Sequence, residues 1–184
     1  DRVVVHSGSC SKITREYALE LAKQTLAEAV EELRKNDLYD IRLCPETMGK
    51  INQLGTLSEV LTLCKLSPLY CPVVDFGHLN ARVCGGAFPD VDAYRYVFDR
   101  VGSELGDDVA KYMHCHFSKI EYTAAGEKRH LTFADEVYGP AFEPLMEAIV
   151  LDGLCPRLIC ESDNTQAEDA LAMKRYWQSL TNPT

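Results

Sequence analysis

The chain has 184 residues, 46% of them hydrophobic and 26% charged, a composition typical of a globular domain with a sizeable core. Its formal net charge of -9 argues against a protein that binds nucleic acid by bulk electrostatics, although a local basic rim or bound metal ions can still attract a phosphate. No apolar stretch approaches the ~20 residues that a membrane helix needs, so we expect no membrane partner.

The predicted elements alternate between strands and helices along the chain. Short apolar runs predict strands at 3–6, 41–46, 72–75, 111–117 and 157–162. Apolar residues at a spacing near 3.6 predict helices at about 14–34, 57–66, 91–105, 142–151 and 165–180. The stretches 76–89 and 118–139 are expected to be loops. Alternation of this kind predicts a parallel sheet with helices outside it.

The number of units bears on the fold. Repeats, low-complexity segments and Pro-rich linkers are absent from the sequence, so residues 1–184 are predicted to form a single α/β domain. Five strand–helix units do not close an eight-stranded barrel. We therefore expect the last five units of a (β/α)8 TIM barrel, with the first three units absent. The first and last strands should then each leave an unpaired edge.

The eight cysteines favour free thiols over disulfides. Several, such as Cys44 and Cys71, lie within or beside predicted strands, and no CxxC pair occurs. Buried thiols of a reducing cytoplasm explain this placement better than a disulfide framework or a zinc–thiolate site. The expected location is therefore cytoplasmic.

Residues able to bind a metal follow the predicted strands. The strand ends carry His6, Glu46, Asp75, His114 and Glu161, and three more histidines lie close by, at His78, His116 and His130. Each alone has an ordinary explanation, such as a helix-capping carboxylate. The carboxyl ends of parallel strands meet at one mouth, so the joint pattern predicts a shared metal site in one cleft. Carboxylates combined with imidazoles suit zinc or manganese.

Several motifs of the chain resemble the endonuclease IV family. They are Glu46-Thr47-Met48-Gly49, Asn52-Gln53-Leu54-Gly55, Val74-Asp75-Phe76-Gly77-His78, Met113-His114-Cys115-His116 and Ile159-Cys160-Glu161-Ser162. The segment His6-Ser7-Gly8-Ser9 is similar to the histidine turn after the fourth strand of that family. The resemblance covers nearly the whole chain, in order. The wider group of xylose-isomerase-like barrels shares the architecture.

The resemblance implies a zinc-dependent hydrolase that cleaves the phosphodiester 5′ to an abasic site in DNA, as in base excision repair. It implies that His6 and Glu46 bind one zinc, without the family's strand-three histidine. Glu46 would bridge to a second zinc, completed by Asp75, His114 and Glu161. His78 and His130 would belong to a third. Glu46 and Glu161 are the implied catalytic carboxylates, which would orient or deprotonate the attacking water.

The third site departs from the family pattern. The family has an Asp-x-His pair where this sequence has Lys128-Arg129-His130. A lysine ammonium has no lone pair and cannot replace the aspartate. Glu127 is off register by one, and His116 is an additional candidate ligand. We therefore expect two tightly bound zinc ions and a weak or absent third, with Lys128 either a solvated loop residue or a contact for an anion.

Two other functions remain open at this point. One is a metal-dependent isomerase or epimerase that acts on a small sugar, and the other is a non-catalytic barrel that binds a ligand. The acidic net charge and Lys128 favour the isomerase. The ordered ligand set and the segment around Glu161 favour the nuclease.

Overall fold

Five parallel strands form the centre of the molecule. The computed structural model describes residues 1–182, so that the last two positions of the predicted domain lie outside it. The parallel strands are β1 (Arg2–Val5), β2 (Arg42–Pro45), β3 (Val73–Asp75), β4 (His114–Phe117) and β7 (Arg157–Cys160). Strands β5 (Lys119–Thr123) and β6 (Gly126–Leu131) form an antiparallel hairpin.

Helices connect these strands and cover the outside of the sheet. They are α1 (Arg15–Lys35), α2 (Leu57–Cys64), α3 (Phe76–Arg82), α4 (Val91–Leu105), α5 (Asp107–Lys111), α6 (Glu143–Leu151) and α7 (Gln166–Thr181). Thr14 caps α1, and Thr56 with Glu59 forms a capping box at α2, which satisfies backbone N–H groups that a helix start leaves free. None of the helices in residues 1–182 combines the length and apolarity of a membrane span.

The parallel strands lie side by side in the order β1–β2–β3–β4–β7. Hydrogen-bonded ladders join β1 to β2, and β3 to β4 to β7. Two isolated parallel bridges, Leu43 with Tyr70 and Glu46 with Val73, connect β2 to the β3 side. Within the described residues β1 pairs with β2 alone and β7 with β4 alone, so each leaves an edge as predicted. These residues do not form a closed barrel.

Two hydrophobic clusters fix the strands against the helices. The larger one joins α4, α6 and α7 to outward-facing residues of the sheet, among them Val74, Cys115 and Phe117. The smaller one joins α1 and α2 to outward-facing residues near β2, among them Leu43 and Tyr70. Successive strand residues point to opposite faces, so the residues between these apolar ones point inward. The inward face therefore carries the polar side chains.

Three stretches differ from the sequence-based expectation. The strand predicted at 111–117 begins only at His114, because residues 107–111 form α5. The loop predicted after Asp75 begins with α3, whose first turn is capped by the Asp75 carboxylate accepting a hydrogen bond from the His78 backbone N–H. The long loop predicted at 118–139 contains the β5–β6 hairpin. Strand β6 is polar on both faces, so it lacks the apolar alternation that identifies a strand.

Candidate metal centre

Four residues at the ends of the parallel strands converge on the inward face. Glu46, Asp75, His116 and Glu161 each place a possible ligand atom within 4.8 Å of the others, and we call them the strand-end group. Asp75 and His116 are register partners on β3 and β4. All but Glu161 are buried. The predicted convergence of strand-end residues is therefore what the structure shows for Glu46, Asp75 and Glu161.

The Glu46 carboxylate lies at the centre of three imidazole rings. Its Oε1 lies 2.8 Å from Nδ1 of His116, and its Oε2 lies 3.0 Å from Nε2 of His6. Nδ1 of His78 is 3.7 Å from Oε1. The Glu46 side chain is 2% exposed, whereas His6 is 61% exposed and forms the open side of the site.

The charges of these groups support one another. Burial acts to raise the pKa of Glu46, but the hydrogen bond and charge of His116, with the charges of His78 and His6, outweigh it and leave that pKa below its ordinary value. Burial acts to lower the pKa of His116, but the hydrogen bond and charge of Glu46 leave it raised. Glu161 differs, because burial raises its pKa against the opposing charge of His116, and the charges of Asp75 and Glu46 raise it further.

A second set of ligands lies beside the first and involves the hairpin. His78, Glu127 and His130 also place ligand atoms within 4.8 Å of one another, and we call them the hairpin group. Nε2 of His78 is 3.4 Å from Oε2 of Glu127, and Nε2 of His130 is 4.0 Å from Oε1. Nδ1 of His78 is 2.9 Å from the Thr47 carbonyl, which can only accept, so Nδ1 carries a proton and Nε2 is the ring nitrogen that faces Glu127. Nδ1 of His130 is 2.8 Å from Oγ of Ser118.

A β-bulge explains why Glu127 and His130 share a face. Arg129 pairs with Glu121 and Glu127 pairs with Tyr122, so Lys128 is an extra residue in β6. The extra residue changes the phase of the alternation, and a residue three positions before His130 then points to the same side. The sequence-based reading, in which Glu127 is off register, did not include this bulge.

Lys128 lies outside the hairpin group. Its Nζ donates a hydrogen bond of 2.6 Å to Glu121, and its side chain is 54% exposed. Arg129 donates to the other oxygen of the same carboxylate. The sequence pattern predicts that a cation at position 128 weakens a third metal site, but the Lys128 ammonium group is paired with Glu121 and is not part of the hairpin group. The anion that Lys128 contacts in the structure is the Glu121 carboxylate.

His114 takes a different position from the one that the resemblance implies. Neither ligand group includes it, and it pairs in register with Val73, two residues before Asp75. Its side chain is buried, and both ring nitrogens lack a hydrogen-bond partner within residues 1–182. Burial, followed by the charges of His116, Arg2 and Arg157, lowers its pKa to about 4. His116, the additional candidate, takes the place at the strand end.

Two arginines hold the loop that follows Glu46. The Arg82 guanidinium donates to four backbone carbonyls of this loop, those of Met48, Lys50, Ile51 and Gln53. Arg15 donates to two of the same carbonyls and also pairs with Glu59. Gly49 packs this loop on the hairpin group, because a Cβ there would lie 2.6 Å from Cβ of Glu127. Sequence reasoning had not identified either arginine.

The donor set fits a divalent cation. Oδ2 of Asp75 and Oε2 of Glu127 are buried and accept no hydrogen bond from the described residues, although each lies within 3.5 Å of a His78 ring nitrogen. Buried carboxylate oxygens without a donor are costly unless a cation is close. Carboxylates with neutral imidazoles are ligands suited to zinc or manganese.

Comparison with known proteins agrees with the architecture. The family described as xylose isomerase-like TIM barrels matches residues 1–178. The chain belongs to this family. Its members are largely enzymes and include endonuclease IV and sugar isomerases. The family assignment confirms the predicted resemblance and the TIM-barrel relationship, while the number of barrel units in the intact fold stays a prediction.

One relative covers nearly all of the chain. The uncharacterized protein MJ0133 of Methanocaldococcus jannaschii (strain ATCC 43067 / DSM 2661 / JAL-1 / JCM 10045 / NBRC 100440) is 31% identical over 175 residues. The match takes in 95% of this chain and 62% of MJ0133. The chain thus spans less than two thirds of the length of that relative.

Proposed function

We propose that the protein is a metal-dependent phosphodiesterase that resembles endonuclease IV and hydrolyses DNA at abasic sites. The observation that carries this proposal is the close contact between the two ligand groups. Nδ1 of His78 lies 3.5 Å from Asp75 and 3.7 Å from Glu46, while Nε2 faces Glu127. Adjoining sites for divalent ions are the usual arrangement for cleaving a phosphodiester.

The residues divide into those that would hold ions and those that orient them. The strand-end group, with His6 on its open side, would hold ions next to the solvent, and the hairpin group would hold one more. Zinc is the proposed ion, and manganese suits the same donors. Bound ions would lower the pKa of a water and offset negative charge on a phosphoryl oxygen. Thr47 and Ser118 would orient His78 and His130 through their Nδ1 atoms.

Glu161 is the proposed proton carrier. It is the most exposed carboxylate of the strand-end group, at 36%, and its pKa is raised by burial and by Asp75 and Glu46. A carboxyl group with a raised pKa can take a proton from water and return it to a leaving oxygen. Glu46 keeps a lowered pKa and stays ionised, which suits a ligand rather than an acid.

Basic side chains close to the hairpin group are already paired within the chain. Lys128 and Arg129 are paired with Glu121, and Lys119 donates to the carbonyl of Asp135. The net charge of the chain is -9. Recognition of a phosphodiester would therefore depend on the bound ions. We expect activity to depend less steeply on salt than that of a protein making 6–10 phosphate contacts, which loses roughly 10³–10⁵ in affinity between 50 and 200 mM.

A sugar isomerase or epimerase is the second candidate. The acidic charge that works against DNA binding favours a small neutral substrate. Glu161 could then move a proton between carbon atoms of a sugar held by one ion. This candidate makes no use of the hairpin group as an additional metal site.

The test compares the two reactions on the same protein. The full chain, loaded with zinc or manganese, is incubated with a labelled duplex that contains one abasic site and with a matched undamaged duplex. We expect nicking 5′ to the abasic site, strongly reduced in Glu161→Gln and unchanged in the exposed helix variant Glu28→Gln. Absence of nicking, together with metal-dependent interconversion of an aldose and a ketose, would replace the proposal by the isomerase.

A further inference from the structure

Two cysteines lie opposite each other where β2 runs alongside the segment that leads into β3. The bridges Leu43 with Tyr70 and Glu46 with Val73 have the same register, which places Cys44 beside Cys71. The backbone N–H of Cys71 donates to the Leu43 carbonyl at 3.2 Å, so the two strands are in hydrogen-bond contact at this level.

Both thiols project from the inward face. Leu43 and Tyr70 belong to the hydrophobic cluster on the helix side, together with Cys64. Alternation along β2 directs Cys44 to the opposite side, and the shared register of the two bridges implies the same direction for Cys71. Cys44 is fully buried, and Cys71 is partly exposed.

The spacing of the two strands suits a disulfide. Adjacent strands lie roughly 4.7–4.9 Å apart, and the Cα atoms of a disulfide are usually about 4.4–6.8 Å apart. The Cys71 environment also favours a thiolate. The adjacent Cys44 thiol, and then the guanidinium groups of Arg2 and Arg42, lower the pKa of Cys71 against the opposing effect of burial.

We propose that Cys44 and Cys71 are an oxidisable pair that forms a reversible disulfide with a low-molecular-weight disulfide as oxidant. The Cys71 thiolate attacks one sulfur of the oxidant, forming a mixed disulfide and releasing one thiolate. That thiolate takes the proton of Cys44. The Cys44 sulfur then attacks Cys71, and the second half of the oxidant leaves as a thiolate, which is protonated by solvent. In total, two cysteine thiols are oxidised and one small disulfide is reduced to two thiols.

The proposal does not depend on the function assigned to the metal centre. Cys44 lies in β2, two residues before Glu46. The new bond would join β2 to the segment that leads into β3. It concerns a modification of the chain, so it can be tested without substrate or metal.

The test is a mapping of disulfides in the native protein. The full chain is treated with bis(2-hydroxyethyl) disulfide, free thiols are blocked with iodoacetamide, and tryptic peptides are analysed by mass spectrometry. Trypsin separates the three central cysteines into peptides 43–50, 51–65 and 66–82. We expect a link between 43–50 and 66–82, with the mass reduced by two hydrogens, which dithiothreitol reverses. The same treatment in urea should yield mixed pairings.

Single variants distinguish the attacking thiol from the resolving one. Cys44→Ser should stop at a mixed disulfide with the reagent on Cys71, and Cys71→Ser should leave Cys44 unmodified in the folded protein. The exposed-cysteine variant Cys84→Ser should form the link at an unchanged rate. A link from 66–82 to 51–65 in the native protein would overturn the proposal. The proposal would also be overturned if, after oxidant treatment of the native wild-type protein, iodoacetamide alkylated Cys44 and Cys71 completely while Cys84 had reacted with the oxidant.

Discussion

The strand-end group and the hairpin group differ in what holds their ligands in place. Glu46, Asp75 and His116 are at or next to parallel strands whose ladders and bridges connect them directly. In the hairpin group, Glu127 and His130 depend on one bulge in a two-stranded ribbon. The first arrangement is fixed by the register of the whole sheet. The second is fixed by a local irregularity and by contact with the loop around Gly49.

The difference teaches where substitutions should act. A change in the strand-end group removes a ligand but leaves the sheet that positions the others. A change in β6 can restore or shift the alternation and so turn a ligand away. The geometry of the hairpin group should therefore be more sensitive to substitution than that of the strand-end group. His78 contacts both groups and couples them.

The largest effect is expected from Glu46→Gln. This change removes the carboxylate that two imidazoles contact directly, at 2.8 and 3.0 Å, and leaves its volume unchanged. Changes in residues that merely support a ligand cost about 10–100-fold in metal affinity, so loss of the ligand itself should cost more than about 100-fold. Equilibrium dialysis with zinc measures the affinity, and Glu28→Gln serves as the exposed control. An affinity within a few-fold of the unmodified protein would remove Glu46 from the site.

The second prediction concerns the hairpin group alone. Glu127→Gln should remove one metal equivalent and leave the strand-end equivalents in place, because the two groups share no carboxylate. Lys128→Asp should leave the number unchanged, because Lys128 points to Glu121. Elemental analysis after desalting gives the count. A gain of one equivalent in Lys128→Asp would instead support the sequence-based view that the lysine replaces a ligand.

The third prediction concerns the pH dependence of stability that follows from the burial of His114. Its pKa is about 4 in the folded protein, below the unfolded value of 6.5, so its neutral form stabilises the fold above pH 6.5. That stability is lost as the pH falls from 6.5 towards 4. At about 1.36 kcal/mol per pKa unit, the upper limit of this loss is roughly 3 kcal/mol, and solvent screening of the ring reduces it.

The variant His114→Gln should lack this part of the pH dependence. Urea unfolding of metal-free protein at pH 7 and pH 4.5 measures the free energy of unfolding in each case. The difference between the two pH values should be smaller in the variant than in the unmodified protein. Equal differences would show that His114 is charged in the fold or accessible to water.

The smallest effect is expected at Ser118. Its hydroxyl contacts Nδ1 of His130 at 2.8 Å, and Ser118→Ala removes that partner without changing a ligand. A reduction of about 10-fold in the affinity of the hairpin group is expected, with little change at the strand-end group. Competition with a zinc-binding dye resolves the two affinities. Ser179→Ala, on the exposed side of α7, is the control, and an equal loss there would contradict a specific role.

Sequence reasoning reached the strand-end group because its members follow apolar runs that end at the same edge. It could not separate His114 from His116, because alternation places both on one face and only pairing with β3 sets their depth. It missed Glu127 as a partner of His78, because a bulge leaves no trace in composition or spacing. The short helix α3 was missed for a related reason, since its cap, Asp75, was already assigned as a ligand.

The hydrogen bonds of Arg82 bear on how a substrate reaches the site. Four loop carbonyls share this one guanidinium, and Arg15 also donates to two of them. Opening this loop as a flap would separate several charge-assisted hydrogen bonds at once. The wall next to Glu46 is therefore preformed, and association should follow a single exponential without a slow opening phase. We therefore expect a substrate to enter from the side of His6, whose side chain is largely exposed.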